Sequence, residues 1–486
     1  MAEHNNKNNS TQDSVAPAAQ IAAAEEQAVS VAYVIFISAV AAIGGFLFGF
    51  DSGVINGTVG ALEKAFNAND VATGFNVASV LLGCALGALL AGPIADKVGR
   101  KPVMIITAII FAVSAFGSGI AESSPEFIFY RLLGGLGVGA ASVLAPAYIS
   151  EVAPASLRGR LATLQQMAIV LGLFAAFLSN FTIASYTGGA SEAGWLGIDS
   201  WRWMFWMEII PATLFFIGVL LIPESPRFLV AQGEDNKAKG VFERIAPGVA
   251  TAQIDEIKRS LKSDHKPALR DLFIEGSRKI HPIIWVGVAL SVFQQFVGIN
   301  VVFYYGAELW QAAGFDESQS LFINVLGGVT NVASTFIAIA LIDKIGRKPL
   351  LLIGSTGMAI MLSILTYLFS TAGLDEAGKL ALTDANGTFA LVAANLYIVF
   401  FGMSWGPVVW VLLGEMFNNR IRGAALALAA SAQWLANFLV TMTFPILLTQ
   451  TGLGGAYGLY ASSALISLFF VHRYVKETRG RRLEEM

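Results

Sequence analysis

The sequence predicts an all-α membrane protein with twelve spanning helices in two parallel six-helix halves. Three observations carry that prediction. The 486 residues are 55% hydrophobic and only 13% charged, with a mean hydropathy of +0.64; soluble chains carry about 25% charged residues. The apolar segments are long and nearly uncharged, as bilayer-crossing helices require, rather than alternating as in a barrel. Charged motifs also recur six spans apart, which is the mark of an internal duplication.

Taken in order, residues 1–28 are rich in Asn, Gln and Ala and poor in large apolar residues, the composition of a disordered tail. No charged and then briefly apolar leader precedes the first span. The spans are expected at 31–55, 73–95, 103–121, 125–150, 157–183, 201–222, 281–310, 317–342, 348–371, 388–415, 420–450 and 453–474. Between the sixth and seventh, residues 223–280 are polar. Their segments EDNKAKGVFERI and AQIDEIKRSLK have the charge mixture of short amphipathic surface helices. The expected division is a tail (1–28), a first half (29–222), a helical linker (223–280), a second half (281–474) and a tail (475–486). Nearly all lysines and arginines fall in the loops after spans 2, 4, 6, 8 and 10 and in the C-terminal tail. The alternate loops offer little beyond Lys64, Arg202 and Lys379. By the positive-inside rule both termini and the linker are cytoplasmic, as in a multi-pass protein of the plasma (bacterial inner) membrane.

Several function classes drop out. A net charge of −3 without a cationic tract does not suit nucleic acid. The single cysteine, Cys84, excludes an internal disulfide, and four scattered histidines have no metal-ligand spacing. No Walker loop, HExxH or GxSxG motif is present, so no enzyme, cofactor or metal site is expected.

The repeat lies in the charges. DKVGRKP (96–102) recurs as DKIGRKP (343–349), and EVAPASLRG (151–159) as EMFNNRIRG (415–423). PESPR (223–227) has a weaker echo in KETRG (476–480). Asp96 can pair with Arg100 and Asp343 with Arg347, while Glu151 with Arg158 and Glu415 with Arg422 supply matching partners in each half. Loop charge of the ordinary positive-inside kind explains the cations but not acids at fixed offsets in both halves. The expectation is a pair of cytoplasmic charge clusters that latch the halves in one state. Exposed ion pairs are worth under about 1 kcal/mol each, so only a network would bias the equilibrium.

Polar residues inside the spans point to a site. Asp51 in span 1, Arg131 in span 4 and Glu208 in span 6 must be paired or face water, since a charge at mid-bilayer costs about 2.5–3.5 kcal/mol on the gentler scale. Glu208 can instead lie close to an interface. If Asp51 and Arg131 separate, the aspartate can take up a proton; the alternative is a static ion pair. In span 7, QQFVGINVVFYY (294–305) carries Gln294, Gln295 and Asn300. On an ideal helix Gln295 and Asn300 point about 140° apart, and Gly298 between them suggests a bent turn that lets the amides converge. Gln165 and Gln166 in span 5, Gln433, Trp434 and Asn437 in span 11, and Trp405 and Trp410 around a Gly-Pro break in span 10 add further amides and aromatic faces. Amides both donate and accept, which suits a neutral polyhydroxylated molecule. Interhelical hydrogen-bond glue is the competing reading for any one of them.

These motifs, in this order, resemble the sugar-porter family of the major facilitator superfamily. The likeness runs from about Gly44 to Leu483 through GFDSGVING, DKVGRK, YRLLGGLGVG, SEVAPASLRGRL, PESPRFL, QQFVGINVVFYY, DKIGRKPL, FGMSWGPVVWVLLGEMF and QWLANF. The last stretches are especially similar to bacterial xylose–proton symporters and hexose transporters. The resemblance implies sugar contacts from Gln166, Gln294, Gln295, Asn300, Trp410, Gln433 and Trp434. It adds Phe48, Tyr304 and Asn331 as secondary contacts and outer gate. Asp51 matches the family's proton-accepting aspartate, with Arg131 as partner, and Glu224 and Arg227 match its cytoplasmic charge cluster. Where the xylose-symporter pattern carries a second span 5 glutamine, this sequence has Leu173, which shifts the expectation towards glucose because a lost amide removes a hydroxyl partner. The implied activity is proton-coupled monosaccharide uptake, with D-glucose ahead of D-xylose or D-galactose. The partners are sugar, H+ and membrane lipid, and the chain works as a monomer. A facilitative uniporter and a transporter-like sugar sensor are the alternatives.

Overall fold

The computed structural model describes residues 30–263, 269–274, 277–376, 379–418 and 421–479, and within them leaves undescribed the side chains of 155, 156, 158–160, 162, 262, 263, 269 and 271. Eleven helices are long and apolar enough to cross a bilayer. The last, Arg422–Tyr474, holds 53 residues, about 80 Å at about 1.5 Å per residue and so more than twice a bilayer core. Gly452 breaks it at φ 68° and ψ −179°, which makes two spans and brings the total to twelve. The expected all-α architecture is the observed one. The described strands are a two-residue pair, Gly373–Leu374 with Leu380–Ala381, in the loop between spans 9 and 10.

In the first half the spans are Val31–Val54, Asp70–Val98, Arg100–Ile120, Ser124–Val152, Ala155–Thr187 and a divided sixth, Ser200–Trp206 with Ile209–Leu221. Spans 2 and 4 touch backbone to backbone: a Cβ on Gly83 would lie 2.2 Å from Leu132 O, and one on Gly135 2.0 Å from Val80 O. Small residues allow that approach in lipid, where tails are as apolar as leucine and packing must supply the attraction.

The second half opens with span 7, split into Pro282–Phe296 and Ile299–Ala312. Spans 8 and 9 are Glu317–Ile345 and Arg347–Thr371. Span 10 runs as Asp384–Phe400, a π-turn over Phe401–Trp405, and Gly406–Met416. The turn sits where Pro407 cannot donate to the helical ladder, so carbonyls there need other partners.

The linker forms Pro226–Ala231, Asp235–Ile245 and Ala250–Ser263. Ala238, Val241, Phe242 and Ile245 make one buried stripe at helical spacing. Ser30 N donates to Ile245 O at 2.8 Å, tying the linker to the start of span 1.

Candidate functional site

Charges gather inside the first half. Asp51 and Arg131 are each 1% exposed, and Arg131 Nη1 donates to Asp51 Oδ1 at 2.7 Å. Nη2 reaches the Asp51 carbonyl at 3.3 Å, and the guanidinium lies over the Phe205 ring. Glu208, also 1% exposed, stands at the break between the two pieces of span 6, close enough to Asp51 to interact with it. It is therefore an interior residue and not an interfacial one. Asp51 Oδ2, Arg131 Nε and both Glu208 carboxyl oxygens have no hydrogen-bond partner among the described residues. Two carboxylates thus share one guanidinium, and one bound proton makes the trio neutral.

Amides gather inside the second half. Gly298 adopts φ 84°, and the turn it permits lets Asn300 Nδ2 donate to Gln295 Oε1 at 2.5 Å. Gln295 Nε2 donates to Gln294 Oε1 at 3.3 Å, and Gln433 Nε2 donates to the same oxygen at 2.5 Å. Gln294 Nε2 in turn donates to Trp405 O at 2.8 Å and Gly406 O at 3.1 Å. Those two carbonyls flank the span 10 break. An amide offers two donors and two lone pairs, so Gln294 has nothing left for a ligand in this conformation. Its geometry is that of a positioning residue, which is the glue reading. Gln433 Oε1, by contrast, is buried without a partner. Phe48 and Trp434 pair their rings across the halves at 6.2 Å. Trp410 is 42% exposed, while Trp405 is fully buried and donates to Ser355 Oγ at 2.9 Å. Asn437 Nδ2 donates to Tyr304 Oη at 3.4 Å, and Tyr304 is within electrostatic reach of Asp51 and Arg131. Gln166 is half-buried, whereas its neighbour Gln165 is buried against Gly45 with both amide atoms unpartnered. Asn331 is buried behind the π-turn, where Gly402 leaves room for its Oδ1.

Hydrogen bonds cross between the halves where span 1 ends beside span 7, and among the described residues the one that makes most of them was not among those expected. Asn56 Nδ2 donates to Phe303 O at 3.0 Å and Val302 O at 3.3 Å. Its Oδ1 accepts from Ala307 N at 3.1 Å and Asn324 Nδ2 at 2.7 Å. Phe303 O and Ala307 N would bond each other in an unbroken helix, and beside them Tyr305 departs from helical geometry at φ −117° and ψ 17°. Asn56 starts an N-x-T triplet that invites a glycosylation reading, but at 1% exposure it is a packing residue. The signal available in the sequence was an uncompensated amide five residues after Asp51 within an apolar span. A second such contact joins Ala190 N to Glu317 Oε1 at 2.7 Å.

The sequence profile of the sugar (and other) transporter family matches residues 37–486. The chain is a sugar porter of the major facilitator superfamily. Among curated proteins, the porter is 55% identical over 458 residues to a glucose transport protein of Synechocystis, covering 94% of this chain and 97% of the relative. It is 39% identical over 487 residues to the D-xylose-proton symporter of Escherichia coli, covering 93% and 95%. Among solved structures it is similar to the inward-open conformation of the xylose transporter XylE from E. coli, with a TM-score of 0.80 at 39% identity, covering 93% of this chain and 99% of that one.

In the loops after spans 2 and 8 the porter repeats one device in each half. Arg100 pairs with Asp96 at 2.8 Å and Glu151 at 2.9 Å. Arg347 pairs with Asp343 at 2.9 Å and Glu415 at 2.7 Å. Glu224 accepts from the Arg100 and Lys101 N–H groups that open span 3; Glu477 does the same for Arg347 and Lys348 at span 9. The weak PESPR/KETRG echo is therefore one helix-capping acid used twice. Burial pushes the Glu224 carboxyl above its ordinary range, against the pull of the Ser225, Lys101 and Arg100 N–H groups. For Glu477 burial acts in the same direction, but four backbone N–H groups outweigh it and hold the carboxyl below that range. The expected Glu415–Arg422 pair is corrected: Arg422 donates from Nε and Nη2 to the Phe417 carbonyl. Arg347 reaches Glu415 with two parallel bonds and so takes the carboxylate that Arg422 was expected to hold. Arg158, the expected partner of Glu151, lies outside the described side chains; among the described ones Arg100 pairs with Glu151. Arg227 is half-buried beside Pro226 at the start of the linker. Each of these four ion pairs stays within one half rather than joining the two.

Proposed function

We propose that this porter takes up a monosaccharide, D-glucose first among the candidates, together with a proton by alternating access. The observation that carries the reading is the division of labour within the molecule. The first half buries two carboxylates against one guanidinium, and the second half holds a connected cluster of amides from spans 7 and 11. The named activities of the relatives, glucose transport and D-xylose–proton symport, point the same way. Gln166, Gln295, Asn300, Gln433, Trp410 and Trp434 contact the sugar. Gln294 holds span 10 in register, Phe48 closes over the site, and Tyr304 and Asn331 support it. Protonation of the Asp51–Glu208 pair loosens its hold on Arg131, the halves rock, and sugar and proton leave to the cytoplasm. The outer contacts of Asn56 and Glu317 support an inward-facing state, in which cytoplasmic clusters confined to their own halves act as released latches. The Lys/Arg distribution supports cytoplasmic termini and a division of the halves at residues 223–280. The sugar is moved without chemistry on it, by a protein working as a monomer. At about 2.3 kcal/mol per charge per 100 mV, one proton driven by about 150 mV supports roughly several-hundred-fold accumulation.

The test is external pH in de-energised, lightly buffered cells after pulses of glucose, xylose, galactose and fructose. The expected result is alkalinisation after glucose that disappears in Asp51→Asn, while downhill exchange of labelled sugar persists. Protein-dependent sugar entry without any pH change would make the porter a uniporter with a structural ion pair.

A further inference from the structure

The outer loop between spans 5 and 6, residues 188–199, is built in a way that water does not explain. Leu196 is 88% exposed and holds a left-handed backbone, φ 59° and ψ 19°, a conformation that is strained for any residue with a Cβ. Trp195 beside it is 45% exposed, and Tyr186 at the end of span 5 is 79% exposed. The loop is nevertheless fixed in place. Gly194 N donates to Ile198 O at 2.8 Å, and Trp201 N to Ala190 O at 2.9 Å. Ser200 Oγ bonds Thr187 Oγ1 at 2.7 Å. A rigid loop is therefore spending backbone strain to hold a large apolar side chain outward.

The aromatic rings continue from this tip down to the lipid-facing wall. Tyr186 stacks on Trp195 at 5.8 Å, Trp195 meets Trp203 at 5.7 Å, Trp203 meets Trp206 at 5.1 Å, and Trp206 stacks on Phe116 at 6.2 Å. Phe116, Ile120 and Ile210 at the lower end are exposed apolar residues of spans 3 and 6, which face hydrocarbon. The indoles of Trp203 and Trp206 give their N–H groups to the Trp195 and Phe116 carbonyls. Residues 188–199 contain Glu192 and Asp199 but no lysine or arginine, so nothing in the loop attracts anionic headgroups and the acids forbid deep entry. Amphipathic rings at the level of helix ends are the usual occupants of a bilayer interface.

We propose that Tyr186, Trp195, Leu196 and Trp203 form a shallow anchor in the outer leaflet, with Leu196 placed below the headgroups and the loop held by apolar contact rather than by charge. The ring ladder makes this patch continuous with the lipid-facing surface, and that continuity selects lipid over a protein partner.

The test labels Leu196→Cys with an environment-sensitive nitrobenzoxadiazole in a Cys84→Ala background, reconstituted in phosphatidylcholine vesicles. Lys237→Cys in the linker serves as the aqueous control. The expected result is blue-shifted emission at position 196, quenched several-fold more by a lipid nitroxide near the headgroup than by aqueous iodide, and unchanged by high salt. Water-like emission quenched chiefly by iodide would overturn the proposal. So would a blue shift that grows with protein density and ignores the lipid nitroxide, since a second copy would then be the cover. If the labelled variant does not fold, brominated lipid supplies an independent reading: the lipid-quenched share of tryptophan fluorescence must fall in Trp195→Phe, and an unchanged share would refute the anchor.

Discussion

Replacing Asn56 with alanine tests the proposal that this residue holds the outer side shut. The side chain makes four hydrogen bonds, all to span 7 or span 8 of the opposite half, between 2.7 and 3.3 Å. A buried hydrogen bond contributes about 1 kcal/mol net, and an orphaned buried partner costs about 1–3 kcal/mol. Alanine removes all four bonds and leaves the Asn324 amide without its acceptor. Ala307 N–H can fall back on Phe303 O if the span 7 turn tightens, which recovers part of the loss. The outer-closed state should therefore lose about 3–4 kcal/mol. In a state whose outer ends have separated these bonds are already broken, so the loss is differential and shifts the equilibrium. At about 1.4 kcal/mol per factor of ten, the ratio of closed to open moves by two to three powers of ten. Spin labels at Glu122→Cys and Leu374→Cys, exposed outer positions in the two halves, report it in a Cys84→Ala background. The distance distribution should move from a short to a long population when Asn56→Ala is added. A folded variant with an unchanged distribution would refute the idea that this amide holds the closure.

Gln433→Leu should weaken sugar binding by about tenfold to a hundredfold with a smaller change in thermal stability than Gln294→Leu, because its Oε1 has no partner among the described residues and can accept from a sugar hydroxyl once the site opens. Gln294→Leu should instead lower the melting temperature, at a cost of about 2–4 kcal/mol, because it takes the acceptor from the Gln295 and Gln433 amides and cuts the tie to the span 10 carbonyls; equal effects of the two variants would show that the roles are not divided. Gly298→Ala forces a Cβ to 2.5 Å from the Tyr460 ring at φ 84°, so it should destabilise by about 2–4 kcal/mol and abolish binding; a fully active, stable variant would mean the turn tolerates a side chain. Glu477 has a depressed carboxyl, so its contribution to stability is fully present above its ordinary value of 4.5 and is lost as pH falls through the lower folded value. Glu477→Gln should therefore lower stability by the same amount across about pH 5 to 8, and a loss that changes within that window would contradict the assigned capping geometry.

Much of the architecture could be read in the sequence because the bilayer leaves few options. A stretch such as 73–95 has no soluble alternative, and Lys/Arg asymmetry then orders the loops. The bend at Gly298 was also legible: three amides spread around an ideal helix make sense only if the helix breaks, and the residue between them is the one that breaks it at low cost. The charge repeat gave the right acids but the wrong partner for Glu415. Sequence spacing puts Arg422 seven residues away, while the arginine that reaches it with two parallel bonds comes from a different loop, 68 positions earlier.

What stayed hidden depends on donor and acceptor counts that no motif encodes. Gln294 and Gln433 look alike as amides in apolar helices. One is consumed by the Trp405 and Gly406 carbonyls and by two amide donors; the other keeps an oxygen unspent. Asn56 carries no signature beyond being an amide near Asp51, because three of its four partners are backbone atoms of a helix about 250 residues away. The same limit explains why the two clusters read as separate features. Asp51, Arg131 and Glu208 belong to the first half and Gln294, Gln295 and Gln433 to the second, and Tyr304, inside the 302–307 stretch that Asn56 grips, bonds Asn437 and lies within electrostatic reach of Asp51. Movement of this part of span 7 would therefore disturb the outer closure, the Tyr304–Asn437 contact and the electrostatic surroundings of Asp51 together. Coupling proton to sugar then needs no direct contact between the two sites. It needs only that this one segment take two positions, each favoured by a different occupancy of the pair of clusters.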